Sequence, residues 1–311
     1  MKKLITACLL LATTCAVAQQ GGRPPRDPRL DSLLTEKDPA ALQQRIIKLE
    51  KGNEDDLGVL LQYYNQKDEG AADSLFEAII KQYPLGKFAA VDRQNKIYQG
   101  KTGKEQEAMA ASFQKDFPGK DYDMIYYSVA NAYVVEKNTK KSLEYLKKIK
   151  QQSSRLMSVQ IIAGQLMAYD PKSAEALVKQ ELDNARSLAK NPDPGRAGDR
   201  LANPRADYYR FLNLYAQILQ QQKNYTDALK YTKEVYDSTK NKSQELKRDY
   251  GFLLSKSGQY KEAFPLMDSI VRDGKGDAEL KRELGIAYEK LNPGKKEPNT
   301  LRSCRPTWQK G

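Results

Sequence analysis

Histidine is absent from the 311 residues, and the chain has only three cysteines and one tryptophan. The lack of histidine excludes a histidine general base and every catalytic triad that contains one. It also excludes zinc sites of the mixed Cys/His type. Catalysis would have to rest on carboxylates, lysine or tyrosine, and no pair among the 40 acidic residues stands out by its spacing. The sequence therefore predicts no enzyme, no metal site and no cofactor.

The segment from Met1 to Ala18 has the pattern of a secretory signal peptide. A basic start at Lys2 and Lys3 precedes a short apolar run, and the small residues Ala16 and Ala18 come directly before the expected cleavage position. The apolar run is too short to cross a membrane as a mature helix. We therefore expect cleavage after Ala18 and a secreted or periplasmic protein of bacterial type. The alternative is a lipoprotein anchored at Cys15, for which the residues before that cysteine fit poorly.

Cleavage at this position would leave Cys304 as the only cysteine of the mature chain. A lone cysteine forms neither an internal disulfide nor a Cys-x-x-Cys redox pair. No later segment of the sequence is apolar enough to span a bilayer, so no transmembrane span is predicted.

The chain is basic, with a formal net charge of +12, which falls to +10 when Lys2 and Lys3 leave with the signal peptide. Excess cations favour acidic peptides, anionic glycolipid or nucleic acid. The alternative is that lysine and glutamate simply solvate exposed helix faces. Export argues against nucleic acid, so we expect a peptide or protein partner, with an acidic segment as one form of it.

Composition divides the chain after the signal peptide into three parts. Residues 19–30 hold glycines and prolines without an apolar run, which predicts a disordered linker. A helical period then extends over residues 31–292, interrupted most by the proline-rich stretch from Asn191 to Pro204. Residues 293–311 have no helical period, and we expect an irregular tail that is truncated or read out of frame.

Two similar segments recur near the end of the helical region. They are Tyr250-Gly251-x-x-Leu254 and Leu284-Gly285-x-x-Tyr288. Between them lies an alanine, Ala263, followed one helical turn later by Met267. Small residues at these positions let the backbones of two antiparallel helices approach, while large apolar residues fill the grooves beside them.

This pattern resembles the tetratricopeptide repeat, whose period of about 34 residues is the separation of Gly251 from Gly285. The resemblance implies an all-α fold, an antiparallel helix-pair solenoid in which stacked pairs bury a continuous core. It also implies a binding module for a peptide or protein partner, because repeat arrays of this kind usually bind without catalysing.

In tetratricopeptide domains the first helix of each pair lines the ligand groove, and the resemblance carries its contact positions to this chain. The implied partner-binding residues are Asn213, Gln217, Arg248, Phe252 and Arg282. Equivalent positions of other repeats hold Tyr127, Asn131 and Ile286. Arginine and amide side chains suit a carboxylate, because arginine grips one bidentately. The alternative is that these positions form a solvated polar face.

The overall layout is also similar to the N-terminal helical region of bacterial envelope thioredoxin-like thiol:disulfide reductases, without the redoxin domain. The leading hypothesis is therefore an exported, non-catalytic scaffold. The alternative is the helical part of a thiol:disulfide oxidoreductase whose thioredoxin-like domain is absent from this chain. A carboxylate-based glycan hydrolase has only its fold class in its favour, and fold alone does not imply function.

Overall fold

The computed structural model describes residues 27–190, 203–239 and 242–295. Four predicted features lie wholly or mostly outside these residues: the signal peptide, the linker up to residue 26, the interruption at residues 191–202, and the tail from residue 296 onward with Cys304. The chain divides into two compact units, Met1–Glu136 and Lys137–Gly311.

The described residues form fifteen α-helices and contain no strand, which confirms the predicted all-α fold class. The helices of the first unit are α1 Pro28–Thr35, α2 Pro39–Glu50, α3 Glu54–Lys67, α4 Glu69–Gln82, α5 Lys87–Gln99, α6 Gly103–Asp116 and α7 Asp123–Val135. The helices of the second unit are α8 Thr139–Leu146, α9 Gln152–Leu166, α10 Pro171–Lys190, α11 Pro204–Gln221, α12 Tyr225–Ser238, α13 Gln244–Lys256, α14 Tyr260–Arg272 and α15 Ala278–Leu291.

Local capping chemistry decides where these helices begin. The first helix starts at Pro28, before the predicted start at Asp31, because Asp27 accepts a hydrogen bond from the Arg29 amide and proline suits the first helical position. Pro204, which the sequence placed at the end of a loop, is likewise the first residue of α11 behind the cap Asn203. Prolines that read as breaks in the sequence therefore open helices in the structure.

In the first unit each helix packs against the next, and helices two apart also touch. The contacts join α1 to α3 and α5 to α7 in addition to the sequential neighbours. Leu30, Leu60 and Tyr63 belong to one buried cluster, and Leu61 and Ile79 belong to the next along the chain. Neighbouring pairs therefore cover each other's apolar faces, as stacked helix pairs do.

In the second unit, too, each helix packs against the next, and some helices two apart touch. Helix α10 packs against both α9 and α11, and α9 in turn touches α11. Farther along, α13 packs against α12, α14 and α15. The fully buried side chains of this unit include Ile162 of α9, Phe211 of α11 and Leu253 of α13.

The crossing of α13 and α14 shows why the sequence pattern contains small residues. A methyl group built at Gly251 would lie 3.1 Å from the Met267 Cγ and 3.7 Å from the carbonyl oxygen of Ala263. Ala263 and Met267 are themselves fully buried. The close approach that the repeat pattern predicts at this crossing is therefore present.

Turns between helices use left-handed backbone conformations, even at residues other than glycine. Lys223 has a φ of 62° at the turn before α12, and Lys137 has a φ of 60° at the turn before α8. Across the described ranges, no helix is both long enough and apolar enough to span a bilayer.

Candidate functional site

The five predicted partner-binding residues all lie in the second unit, on three helices that the resemblance identified as first helices. Asn213 and Gln217 are on α11, Arg248 and Phe252 on α13, and Arg282 on α15. Helices α13 and α15 pack against each other. The structure therefore brings Arg248 and Arg282 to neighbouring helices, whereas the two amide residues lie on a helix two positions earlier in the chain.

Asn213 and Gln217 share one face of α11. Asn213 is half-buried and Gln217 is exposed, and their spacing of one helical turn places them one above the other. Arg210 lies one turn before Asn213, so it belongs to the same face. Its side chain is 67% exposed and lies 3.5 Å from the Asp207 carboxylate. The carried-over motif did not include Arg210, although its helical spacing from Asn213 is visible in the sequence.

Arg248 is engaged within the protein by two carboxylates. Its guanidinium lies 3.0 Å from an oxygen of Asp249 and 2.5 Å from an oxygen of Asp277. Asp277 also accepts a hydrogen bond from the Leu280 amide at 2.8 Å, which caps α15. Arg248 therefore ties α13 to the N-terminus of α15. Because its side chain remains 31% exposed, it is both a structural link and a partly accessible cation.

The pKa values of the two carboxyl groups beside Arg248 shift in opposite directions. The hydrogen bond from the Leu280 amide, followed by the interaction with Arg248, lowers the pKa of Asp277. Burial raises the pKa of Asp249, although Arg248 opposes this shift. A carboxylate at a helix N-terminus is stabilised by the unpaired amide groups there, while Asp249, in the middle of α13, has no such donors.

Arg282 is the most exposed arginine of the predicted set. Its side chain is 53% exposed and lies 3.7 Å from a carboxylate oxygen of Glu283. Glu283 is almost completely buried, accepts a hydrogen bond from the Ser255 hydroxyl at 3.3 Å, and pairs with Lys256 of α13. Lys256 lies closer than Arg282 to the buried carboxylate, and the guanidinium of Arg282 remains partly exposed.

Phe252 lies in the core, so its ring does not offer a contact surface to a partner. Only 4% of the residue is exposed, and the ring packs edge-on against Tyr225 with centroids 6.3 Å apart. The Lys256 ammonium lies 5.3 Å from the ring centroid. The position after Gly251 falls on the side of α13 that meets the start of α12, which is why burial replaces the expected exposure.

The equivalent positions in other repeats are less uniform than the resemblance implies. Tyr127 and Asn131 on α7 are half-buried, and burial raises the pKa of the Tyr127 phenol. Ile286 on α15 is 36% exposed. It lies one turn after Arg282, on the same helical face. The exposed face of α15 thus combines a cation with an apolar side chain.

Within the residues that the structure describes, no group of three or more acidic or sulfur-bearing side chains is arranged to hold a metal ion. The most buried carboxylates are compensated by cations in the fold. Glu181, for example, pairs with Arg155, and Glu283 pairs with Lys256. Removing one partner of such a pair would leave a buried charge without compensation.

Comparison with known proteins gives a limited result. No protein-family model matches the chain, and no curated protein matches it either. Among solved structures, the chain is similar to the crystal structure of the P58(IPK) TPR domain, with 14% sequence identity and a TM-score of 0.26. The match covers 97% of this chain and 95% of that one. Similarity at this level does not assign the chain to a family.

Proposed function

We propose that the protein is an exported, non-catalytic repeat scaffold that binds a peptide or protein partner in the bacterial envelope. The observation that carries the proposal is the exposed face of the first helices in the second unit. There Gln217 and Arg282 present an amide and a guanidinium to solvent, while the opposite faces of these helices form the core. Export rests on the signal-peptide pattern from Met1 to Ala18.

The chemistry of these side chains supports a partner that carries carboxylates. A guanidinium donates two parallel hydrogen bonds to a carboxylate, and the amides of Asn213 and Gln217 both donate and accept hydrogen bonds. We assign the main partner contacts to Asn213, Gln217 and Arg282. Arg248 contributes through its accessible edge, and Phe252 contributes by packing beneath this surface.

The test is affinity capture from a native envelope with the mature chain as bait, followed by calorimetric titration of the captured partner. Arg282→Ala should weaken binding by about 10- to 100-fold, because a charge-assisted hydrogen bond contributes roughly 1.5–3 kcal/mol. Its melting temperature should move little, because the side chain is exposed. Gln217→Ala should weaken binding less, because a neutral hydrogen bond contributes roughly 1 kcal/mol.

The matched control is Arg272→Ala, which removes another exposed arginine of the same unit. Arg272 on α14 is 76% exposed and pairs with Asp268 one turn away. If Arg282→Ala and Arg272→Ala weaken binding equally, the attraction is a diffuse electrostatic effect and the proposed site is wrong. A complex that is insensitive to both changes and to added salt would also contradict it, because exposed ion pairs are screened by salt.

A further inference from the structure

Lysine is concentrated in one short segment at the start of the second unit. From Lys137 to Lys150 the chain has six lysines and one glutamate, a formal charge of +5. This is half of the +10 that the chain keeps when the two lysines of the signal peptide are removed. From Thr139 to Lys150, every exposed residue is a lysine or the glutamate. The exposed surface of this segment is therefore strongly cationic.

Helix α8 brings four of these lysines together on one face. Lys141 and Lys148 each lie 3.6 Å from a carboxylate oxygen of Glu144. Lys140 and Lys147 lie one helical turn before and after Glu144, and helical backbone geometry continues through Lys147. We call Lys140, Lys141, Lys147 and Lys148 the lysine face of α8. From Lys140 to Lys147 it extends about 10 Å along the helix axis.

The opposite side of α8 is buried, so the lysine face points to solvent. Ser142, Tyr145 and Leu146 are the buried residues of this helix. The Lys148 ammonium lies 3.9 Å from the centroid of the Tyr145 ring, so the lysine stem crosses a ring that is fixed in the core. Helix α8 is therefore anchored in the unit, and the lysine face has a defined orientation on it.

The carboxylates that contact α8 do not neutralise the lysine face. Glu144 is 47% exposed and is shared by two lysines, and exposed pairs of this kind are weak. Helix α9, which packs against α8, contains no aspartate or glutamate. Asp170 accepts a hydrogen bond from the Thr139 hydroxyl at 3.1 Å, but Thr139 lies roughly 140° around the helix from Glu144. The face therefore keeps a net positive charge.

The residue types on this face favour a membrane surface over a protein partner. Protein interfaces have an apolar core with aromatic and arginine anchors, and lysine is depleted in them. Lysine carries a compact, strongly hydrated charge, and its attraction to anionic lipid headgroups adds up over a cluster without an apolar anchor. Because no apolar residue of the segment is exposed, the helix suits contact with headgroups and not insertion among acyl chains.

We infer that the lysine face of α8 binds the surface of a bilayer that contains anionic phospholipids, through the phosphate groups of the lipids. The association is electrostatic, peripheral and reversible, because each lysine near an anionic surface contributes only about a fivefold gain in affinity. It goes beyond the proposed scaffold function and does not depend on the partner of that scaffold. It would place the second unit at a membrane that the helices themselves do not span.

Co-sedimentation of the mature chain with lipid vesicles tests this inference. Vesicles of phosphatidylglycerol mixed with phosphatidylcholine should bind the chain, whereas vesicles of phosphatidylcholine alone should not. Salt at about 1 M should release the bound chain, because it shortens the screening length to roughly 3 Å. Equal binding to both kinds of vesicle, binding to neither, or binding that resists salt would overturn the inference.

A double variant locates the binding. Lys140→Gln combined with Lys147→Gln should weaken binding to the phosphatidylglycerol vesicles by ~20-fold, at roughly fivefold per lysine. The unfolding midpoint should stay unchanged, because glutamine and lysine have similar helix propensities. The control combines Lys230→Gln with Lys261→Gln, which removes two exposed lysines from α12 and α14. Equal losses from the two double variants would show that only net charge matters and would overturn the inference.

The glutamate on the lysine face gives a test of opposite sign. Glu144→Gln should strengthen binding to the same vesicles by about fivefold, because it removes a negative charge from the contact. Glu289→Gln, at an exposed position of α15, is the matched control and should have a smaller effect. If Glu144→Gln strengthens binding no more than this control, the lysine face is not the contact.

Soluble polyanions distinguish the membrane from other anionic partners. Heparin, polyglutamate and duplex DNA are each titrated against the mature chain and the Lys140 and Lys147 double variant. A chain that binds one of them through these lysines but does not bind the phosphatidylglycerol vesicles would have a different class of anionic partner, and the inference would be wrong.

Discussion

Glycines in helices of this protein have opposite structural roles that the sequence does not distinguish. Gly164 in α9 has open space around the position of a β-carbon, whereas Gly103, the first residue of α6, lies against the ring of Tyr133. A methyl group at Gly103 would lie 2.5 Å from that ring. Tyr133 is buried and hydrogen-bonded to Glu107, so its ring has little freedom to move away.

Alanine substitutions should therefore change stability in opposite directions at these two positions. Gly164→Ala should raise the free energy of unfolding by about 0.5–1 kcal/mol, because the unfolded chain loses flexibility and the helix gains propensity. Gly103→Ala should lower it by roughly 1–3 kcal/mol through overpacking. Urea unfolding followed by circular dichroism measures both. A stabilised Gly103→Ala variant would show that the Tyr133 ring can yield at little cost.

The phenol of Tyr215 should make the protein sensitive to alkali. Burial, aided by Glu175 and Tyr231, raises the pKa of Tyr215 from 10.0 to about 12. The stabilising contribution of the neutral phenol is complete below pH 10. It is lost as pH rises toward 12, because the unfolded chain releases this proton first. The expected loss is roughly 2 kcal/mol, at about 1.4 kcal/mol per pKa unit at most.

Unfolding free energies of the wild type and Tyr215→Phe between pH 9 and pH 11.5 test this expectation. The wild type should lose stability more steeply than the variant, which cannot ionise at this position. The other tyrosines contribute equally to both proteins and cancel in the difference. Parallel pH profiles would mean that the Tyr215 phenol is better solvated than its burial indicates.

At the scale of the element, α14 carries a proline in its interior. Pro265 is the sixth residue of this helix and is exposed, between the buried Ala263 and Met267. Proline at an interior position removes one backbone hydrogen bond and strains the preceding turn. Helix α14 nevertheless forms, because its apolar face packs against both α13 and α15. Tertiary burial here outweighs local propensity.

Pro265→Ala should therefore stabilise the protein, by roughly 1–3 kcal/mol. The control is Pro204→Ala at the first position of α11, where proline costs nothing because the amide has no partner within the helix. This control should be neutral or slightly destabilising. Thermal and urea unfolding measure the free energy of unfolding of both variants. A destabilised Pro265→Ala protein would show that the proline ring itself contributes to packing.

At the scale of the whole molecule, the main contacts of each described helix are with helices near it in the chain. The contacts in the second unit run from α9 to α10, α10 to α11 and onward to α15, with steps of one or two helices. In such arrays stability is approximately a sum over repeats and their nearest-neighbour interfaces. Damage at one crossing should therefore spread to adjacent helices first.

Ala263→Asp tests this expectation, because Ala263 is fully buried at the crossing of α13 and α14. An uncompensated charge there should cost about 3–5 kcal/mol. Native-state hydrogen exchange should show lost protection in α13, α14 and α15 and retained protection in α9 and α10. The control is Ala278→Asp at the exposed start of α15, where a carboxylate is favourable. Uniform loss of protection across these helices would contradict nearest-neighbour behaviour.

The amino-acid sequence by itself determined the all-α class and the position of one close helix crossing. Helical periodicity and small residues at crossings are local properties, and both Gly251 and Ala263 lie where the recurring pattern predicts a close approach. The start of α1 at Pro28 was missed because its cap, Asp27, lies inside a proline-rich stretch that reads as a linker. Boundaries depend on such single hydrogen bonds, which composition does not reveal.

Only the tertiary structure decided which predicted site residues are accessible. Phe252 is buried against Tyr225, and Arg248 is bonded to Asp277, which caps a helix two elements later in the chain. Met157 and Ile161 are large and apolar, yet they are exposed on α9. Periodicity indicates that a helix has an apolar face. Which faces become covered depends on where the neighbouring helices lie, and that is set by packing between residues distant in sequence.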